Sequence, residues 1–185
     1  MTMRSGFTLW FTGLSGAGKT TIAGLVGPEL ERRGWLVEHL DGDVVRTHLS
    51  KGLGFSKEDR DANIERIGWV ASRLTRHGAA VVVSAISPYE ETHRRARELV
   101  EEHGPFIEVH VATSVRECAR RDVKGLYEKA FRGEIGAFTG VSDPYEEPTS
   151  PDLRLETEGR APRESARLVL LKLEELGLIE AEVAA

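Results

Sequence analysis

The 185-residue chain has one cysteine, Cys118. No disulfide can form within it, and a reducing compartment, the cytoplasm, is expected. No apolar run approaches the ~20 residues of a membrane-spanning helix. The first apolar stretch, Phe7 to Thr12, runs straight into glycines and does not read as a signal peptide. Positive charge is not in excess: 25 Lys and Arg against 30 Asp and Glu leave a net charge of -5. That excludes a broad nucleic-acid surface but not a local basic pocket. The histidines, at 39, 48, 77, 93, 103 and 110, show no metal-ligand spacing, so a zinc centre is not expected. Repeats and low-complexity tracts are absent. What remains, 40% hydrophobic and 30% charged residues, is the composition of a globular chain. The length suits one domain with enough core to fold alone.

Strand-like and helix-like segments alternate. Phe7–Thr12 reads as a buried strand, and Gly13 to Gly18 as a loop. A helix is expected from Lys19 to about Arg33, with Gly27-Pro28 inside it as a place for a kink. Leu36 to Leu40 is a second strand, ending at Asp41. Ser56 and Asp59 cap a long helix running to about His77, on which Ile64, Ile67, Val70, Ala71 and Leu74 share one face. Ala79 to Ala85 is all apolar except Ser84, as in a parallel strand buried on both faces. A helix from Tyr89 to His103, a strand from Phe106 to Ala112, and a helix capped by Ser114 and Glu117 follow. A short strand over Leu153 to Glu156 and a last helix from Pro162 close the pattern. The alternation predicts an α/β fold: a parallel sheet of about five strands with helices on both faces. Its ligands belong at the carboxyl ends of the strands. One stretch breaks the period. Gly133 to Pro148 mixes glycines, prolines and aromatics, and its Phe138, Val141 and Tyr145 favour a lid over a solvated linker.

Gly13-Leu-Ser15-Gly16-Ala17-Gly18-Lys19-Thr20 fits the P-loop pattern G-x-x-x-x-G-K-[ST], between an apolar strand and a helix. Glycines let backbone N–H groups turn toward phosphate oxygens, and the helix N-terminus adds its dipole. Lys19 supplies a point charge to the β- and γ-phosphates of ATP, and the Thr20 hydroxyl can ligate Mg²⁺. The apolar strand ends on Ser84, where many P-loop ATPases carry an aspartate. Carboxylates follow the second strand instead, as Asp41-Gly42-Asp43. Opposite a P-loop, Asp43 is placed to accept a hydroxyl proton, and Asp41 to hold Mg²⁺ through water; standing alone the triplet would be a plain turn.

Basic residues gather on the acceptor side. Arg46 follows Asp43, while Arg60, Asn63 and Arg66 lie at i,i+3 steps on one helix. Singly, each is an ordinary surface ion-pair candidate. Together they hint at an anionic acceptor. Phe55 and Phe138 are candidates to sandwich a planar ring, with core packing an equal alternative. Arg120, Arg121 and Lys124 either stabilise charge on the transferring phosphoryl group or serve a helix C-terminus.

In this order the motifs resemble adenylylsulfate kinase. The resemblance is carried by Gly13 to Thr21, Leu40-Asp-Gly-Asp43, Leu53 to Ser56, Asp59-Arg60, Asn63, Ile86-Ser-Pro-Tyr89, Arg121 to Tyr127, Gly133 to Ile135, Phe138-Thr-Gly140 and Asp143 to Glu146. It covers nearly the whole chain and implies one domain over residues 1–185, with a lid at about 125–150. It implies Mg²⁺-dependent transfer of the γ-phosphate of ATP to the 3′-hydroxyl of adenosine 5′-phosphosulfate (APS). The resemblance further implies that Arg121 and Arg160 lie on the adenine side of ATP. Arg46, Phe55, Arg60, Asn63, Ile86, Ser87, Lys124, Ala137 and Phe138 would meet APS. In this family the serine matching Ser87 has been described as a phosphoserine intermediate; Ser87 has no sequence-evident base, and direct in-line transfer is favoured. Val44, Phe131 and Gly136 stand where an asparagine, an arginine and a lysine are frequent, so the lid is less basic than usual. A homodimer is expected, and fusion to or partnership with ATP sulfurylase is conceivable. Two other functions compete: a non-catalytic regulatory nucleotide-binding module, and a P-loop kinase of another small alcohol. The intact Lys19, Thr20 and Asp43 argue against the first, and the Phe55–Phe138 pair against the second.

Overall fold

The structure, a computed structural model, describes residues 5–122 and 124–181. Five parallel strands form one sheet. They are β1 (Phe7–Thr12), β2 (Val37–Asp41), β3 (Ala80–Ser84), β4 (Phe106–Val111) and β5 (Leu153–Leu155), ordered β2-β3-β1-β4-β5. Seven helices surround it: α1 (Lys19–Arg32), α2 (Gly42–His48), α3 (Lys57–Arg76), α4 (Glu90–Glu101), α5 (Val115–Arg121), α6 (Leu126–Phe131) and α7 (Pro162–Glu175). The expected alternation holds, with strand ends moved by a residue or so.

β1 is central, and both of its faces are buried. Phe7, Leu9 and Phe11 point to one side, into a core with Ile22, Val26 and Leu30 of α1 and Val169 and Leu173 of α7. Trp10 points to the other, where Ile64, Ile67 and Ala71 of α3 meet Ala96 and Val100 of α4. The period-2 alternation of a strand thus feeds two cores from one segment. Of the expected α3 face, Ile64, Ile67 and Ala71 are buried, while Val70 and Leu74 lie at its partly exposed edge. α3 and α4 approach closely at Gly68, where a Cβ would stand 2.9 Å from Ala96 Cβ. α1 passes through Pro28 as one element.

Two helices were not expected. α2 starts at Asp41, whose carboxylate accepts the Asp43 N–H as an N-cap. Its Asp-Gly start and adjacent Val44-Val45 carry a turn signal and β-branched residues, which hide a helix. α6 occupies the start of the region expected to be lid. Asp122 accepts N–H groups from Tyr127 (3.0 Å) and Glu128 (3.1 Å), and Tyr127 is buried. No helix among the described residues is long and apolar enough to cross a membrane.

Candidate active site

The P-loop leaves β1 at Gly13 and enters α1 at Lys19. Gly13, Gly16 and Gly18 all have positive φ, at 144°, 73° and 112°. At Gly13 a Cβ would lie 2.6 Å from the Val111 carbonyl oxygen, so close approach as well as conformation demands glycine. Each of the other six helices carries an acidic residue in its first turn, but α1 carries none and has no side-chain cap. The free N–H groups and the positive dipole end of α1 are therefore left for an anion from outside the chain. Lys19 is buried and folds back, donating to the carbonyls of Gly13 (2.8 Å) and Leu14 (2.7 Å). Burial lowers its pKa to about 8.

Asp41 and Thr20 meet in front of this loop, with Thr20 Oγ1 donating to Asp41 Oδ2 at 2.7 Å. In register Asp41 lies beside Ser84. The carboxylate that the β3 strand lacks is thus presented by its neighbour. A hydroxyl and a carboxylate at this distance are hard oxygen donors of the kind Mg²⁺ accepts alongside substrate phosphates. Among the described residues no cluster of three His, Cys, Asp or Glu could hold a metal alone. An ion at Thr20 and Asp41 would need ligands from a nucleotide.

Beside the P-loop lies a pocket of about 500 Å³ lined by Gly16, Gly18, Thr21, Arg121, Thr157 and Arg160. Arg121 is held against the loop. It donates to Ala17 O at 3.1 Å and Thr157 Oγ1 at 3.3 Å, and its Nε meets Glu117 at 2.8 Å. Hydrogen bonds from Arg120 and Arg121 hold the Glu117 carboxyl down to about 2. The Tyr127 hydroxyl donates to Ser15 O at 2.9 Å, joining α6 to the loop.

On the other side of the cleft Asp43 is exposed and ion-paired with Lys124. Arg46 covers the exposed ring of Phe55, 4.7 Å from its centroid. Arg60 is buried and its guanidinium is largely consumed. It donates to Phe55 O (2.8 Å), to Thr139 Oγ1 (2.8 Å) and to Ala137 O, with Asp143 3.5 Å away. One side chain therefore ties the start of α3 to the lid. Asn63 is buried beside it in sequence, with Oδ1 unpartnered. Arg66 leaves the expected row, since its Nη1 donates outward to Leu49 O at 3.1 Å. Phe138 packs edge-on against Tyr127, with ring centroids 5.0 Å apart, and is only half-buried. Core packing thus accounts for part of that ring and leaves the rest accessible.

After α6, the segment expected to be a lid makes specific contacts with the rest of the chain. Thr139 bridges Asp143, and Gly140 lies so close to Leu14 that a Cβ would stand 2.8 Å from its Cδ2. Tyr145 hydroxyl meets Thr12 Oγ1 at 3.0 Å, and the Glu146 N–H donates to Pro88 O at 2.8 Å. Ser87 is buried with φ of 46°, and its Oγ accepts from Trp10 Nε1 at 3.2 Å. The contacts of Thr12, Tyr145, Tyr127 and Trp10 carried no signal in the sequence, because each joins segments 77 to 133 residues apart.

The adenylylsulphate kinase family model matches residues 5–156. An adenylyl-sulfate kinase of Picosynechococcus sp. is 55% identical over 94% of this chain and 97% of its own length. A probable bifunctional SAT/APS kinase of Sorangium cellulosum is 51% identical over 98% of this chain and 31% of its length. The solved Mycobacterium tuberculosis APS kinase CysC, in complex with AMPPNP and APS, superposes with a TM-score of 0.89. It is 45% identical and covers 92% of this chain and 99% of that one.

Proposed function

The chain belongs to the adenylylsulphate kinase family, and from that premise we propose how its site moves a phosphoryl group from ATP to the 3′-hydroxyl of APS. The products are ADP and 3′-phosphoadenosine 5′-phosphosulfate. The observation that carries the assignment of sides is the position of Asp43, across the cleft from Lys19 and paired with Lys124 of the lid base. The P-loop N–H groups and Lys19 hold the β- and γ-phosphates, and the pocket between Arg121, Thr157 and Arg160 takes the adenine of ATP. Thr20, with Asp41 through water, would hold Mg²⁺, which would shield phosphate charge. APS lies between Asp43 and the lid, against Arg46, Phe55, Arg60, Asn63, Ile86, Ser87, Lys124, Ala137 and Phe138.

Asp43 accepts the proton of the attacking hydroxyl as the in-line displacement proceeds, and Lys124 turns from Asp43 toward the anionic acceptor. Ser87 acts as a contact rather than a nucleophile. Its Oγ receives the Trp10 N–H, and no carboxylate or imidazole nitrogen is bonded to that oxygen among the described residues. The regulatory-module alternative is disfavoured by the intact Lys19, Thr20 and Asp43.

The test is ADP release from Mg-ATP with and without APS. Turnover should depend on APS, and Asp43→Ala should lower it by ~10² or more, as expected on losing a general base. APS binding without turnover in the wild type would point to the regulatory module. Chelation with EDTA should abolish turnover; EDTA-resistant turnover would remove the ion from the scheme. We also place the protein in the cytoplasm as a homodimer, which sedimentation at micromolar concentration checks. The bifunctional relative makes an ATP sulfurylase partner a matter for the same experiment.

A further inference from the structure

Three described residues other than glycine have φ in the left-handed region: Ser87 at 46°, Asp122 at 22° and Ala137 at 52°. Asp122 caps α5 and accepts N–H groups from α6, whereas Ser87 and Ala137 belong to the segments expected to meet the acceptor. Such conformations are costly for a residue with a Cβ and persist only where the surroundings over-determine them. At Ala137 the determinant is Arg60, which donates to the carbonyl oxygen. At Ser87 it is a second buried side chain. His93 Nε2 contacts the Ser87 carbonyl oxygen, and no backbone N–H is bonded to that oxygen among the described residues.

His93 is itself held from behind. Its Nδ1 lies 2.7 Å from Glu108 Oε1, a charge contact outside hydrogen-bonding geometry, and both side chains are buried. Asp152 accepts the Glu108 N–H at 2.7 Å and pairs with Arg97 at 3.1 Å. Arg97 lies 4.7 Å over the Phe106 ring, and Phe106 stacks on Trp10 with centroids 5.5 Å apart. Trp10 then donates to Ser87 Oγ, so the circuit closes on the residue where it began. Apart from Ser87, the phosphoryl transfer proposed above assigns none of these groups a role.

A buried His–Glu pair is a poor way to fill space, since desolvation offsets its attraction and apolar residues of similar volume would often serve as well. What apolar residues cannot do is donate a hydrogen bond to Ser87 O. The three carbonyls in sequence here are each pinned by a different element. Ile86 O accepts from Thr12 Oγ1 of β1 at 2.7 Å, Ser87 O from His93 of α4, and Pro88 O from the Glu146 N–H of the lid. We propose that His93, held by Glu108, is a positioning residue for the acceptor. It fixes the Ile86–Ser87 backbone in its left-handed turn, and through it the surface on which APS docks. This inference rests on the proposed function for its substrate, but its geometric half does not.

The test compares His93→Phe, which removes the donor, with His93→Gln, whose amide nitrogen reaches the place of Nε2. In steady-state assays His93→Phe should raise the KM for APS at least tenfold, with the KM for ATP within twofold of the wild type. His93→Gln should recover to within threefold. A loss shared equally by both substrates, or equal behaviour of the two variants, would overturn the proposal. Should His93→Phe not fold, Trp10→Phe removes the other bond to Ser87 and should give the same APS-selective loss; an unselective one counts against it. The Trp10 indole N–H resonance reads the geometry without turnover. It should move in His93→Phe and not in His93→Gln, and an unmoved resonance in both would refute the pinning. If the wild type ignored APS while the resonance behaved as stated, the substrate assignment would fall and the positioning would stand.

Discussion

Lys19 sits among backbone carbonyls that accept its protons but cannot neutralise its charge, and burial holds its pKa at about 8. A triphosphate supplies the missing negative charge and favours the ammonium form. The direction follows. Below pH 8 the free site is already protonated and ATP affinity is flat in this group. Above pH 8 each ATP must bring a proton with it. The dissociation constant should therefore rise by up to ~tenfold per pH unit above 8. Calorimetry at pH 9 in buffers of different ionisation heat should find close to one proton taken up per ATP, and Lys19→Arg, which stays charged, should abolish the uptake. The motif announced this lysine, because its chemistry is local. Arg60 is the opposite case. Its sequence neighbours marked it as a cation for the acceptor, yet most of its donors are directed at Phe55, Ala137 and Thr139. Thr139 is 79 residues away, a distance no pattern spans.

At the scale of elements, the lid is anchored by core packing of Phe138, Val141 and Tyr145 and by a small set of hydrogen bonds. Arg60, Tyr145 and Glu146 attach it to α3, β1 and the segment after β3. Arg60→Met keeps the aliphatic stem and removes three hydrogen bonds at once. Limited proteolysis should then cut within 133–148 at least several-fold faster than in the wild type; unchanged cleavage would mean the other anchors suffice. The packing of α3 on α4 is tested by Gly68→Ala. Alanine favours the helix by up to ~1 kcal/mol. The added Cβ would stand 2.9 Å from Ala96 Cβ and 3.0 Å from its Cα, so α4 must shift. Overpacking costs ~1–3 kcal/mol, and with that gain subtracted the net expectation is a loss of roughly 0–2 kcal/mol in chemical denaturation. The long helix and its Ser56 cap were legible, since both are local: Ser56 Oγ accepts the Asp59 N–H at 3.1 Å. α2 and α6 were not, being short helices whose starts are held by Asp41 and Asp122, residues that elsewhere mark turns.

For the molecule as a whole, the site lies between two halves of one sheet edge: the P-loop and nucleotide pocket on one side, α2, α3 and the lid on the other. Ligands that span it should stabilise the fold by mass action. A non-hydrolysable Mg-ATP analogue at 100 times its dissociation constant should add ~2.7 kcal/mol. For a chain of this size that is a rise in melting temperature of roughly 5–11 °C. Adding APS should raise it further, and Asp43→Ala should leave the first increment intact. An increment from the analogue that vanished in Asp43→Ala would contradict the division of the site into two sides.

The sequence alone determined the strands, the long helices and the P-loop with its lysine, because each rests on periodicity, capping or turn chemistry within about twenty residues. It also placed Asp41 and Asp43 opposite the loop, since parallel strands bring their carboxyl ends to one edge. Only the tertiary structure decided that Asp41 meets Thr20, that Asp43 pairs with Lys124, and that the carbonyls of Ser87 and Ala137 are held by His93 and Arg60. Those contacts depend on strand order and on the path of the lid. Both depend on how the two buried faces of β1 are covered at once, which no local pattern encodes.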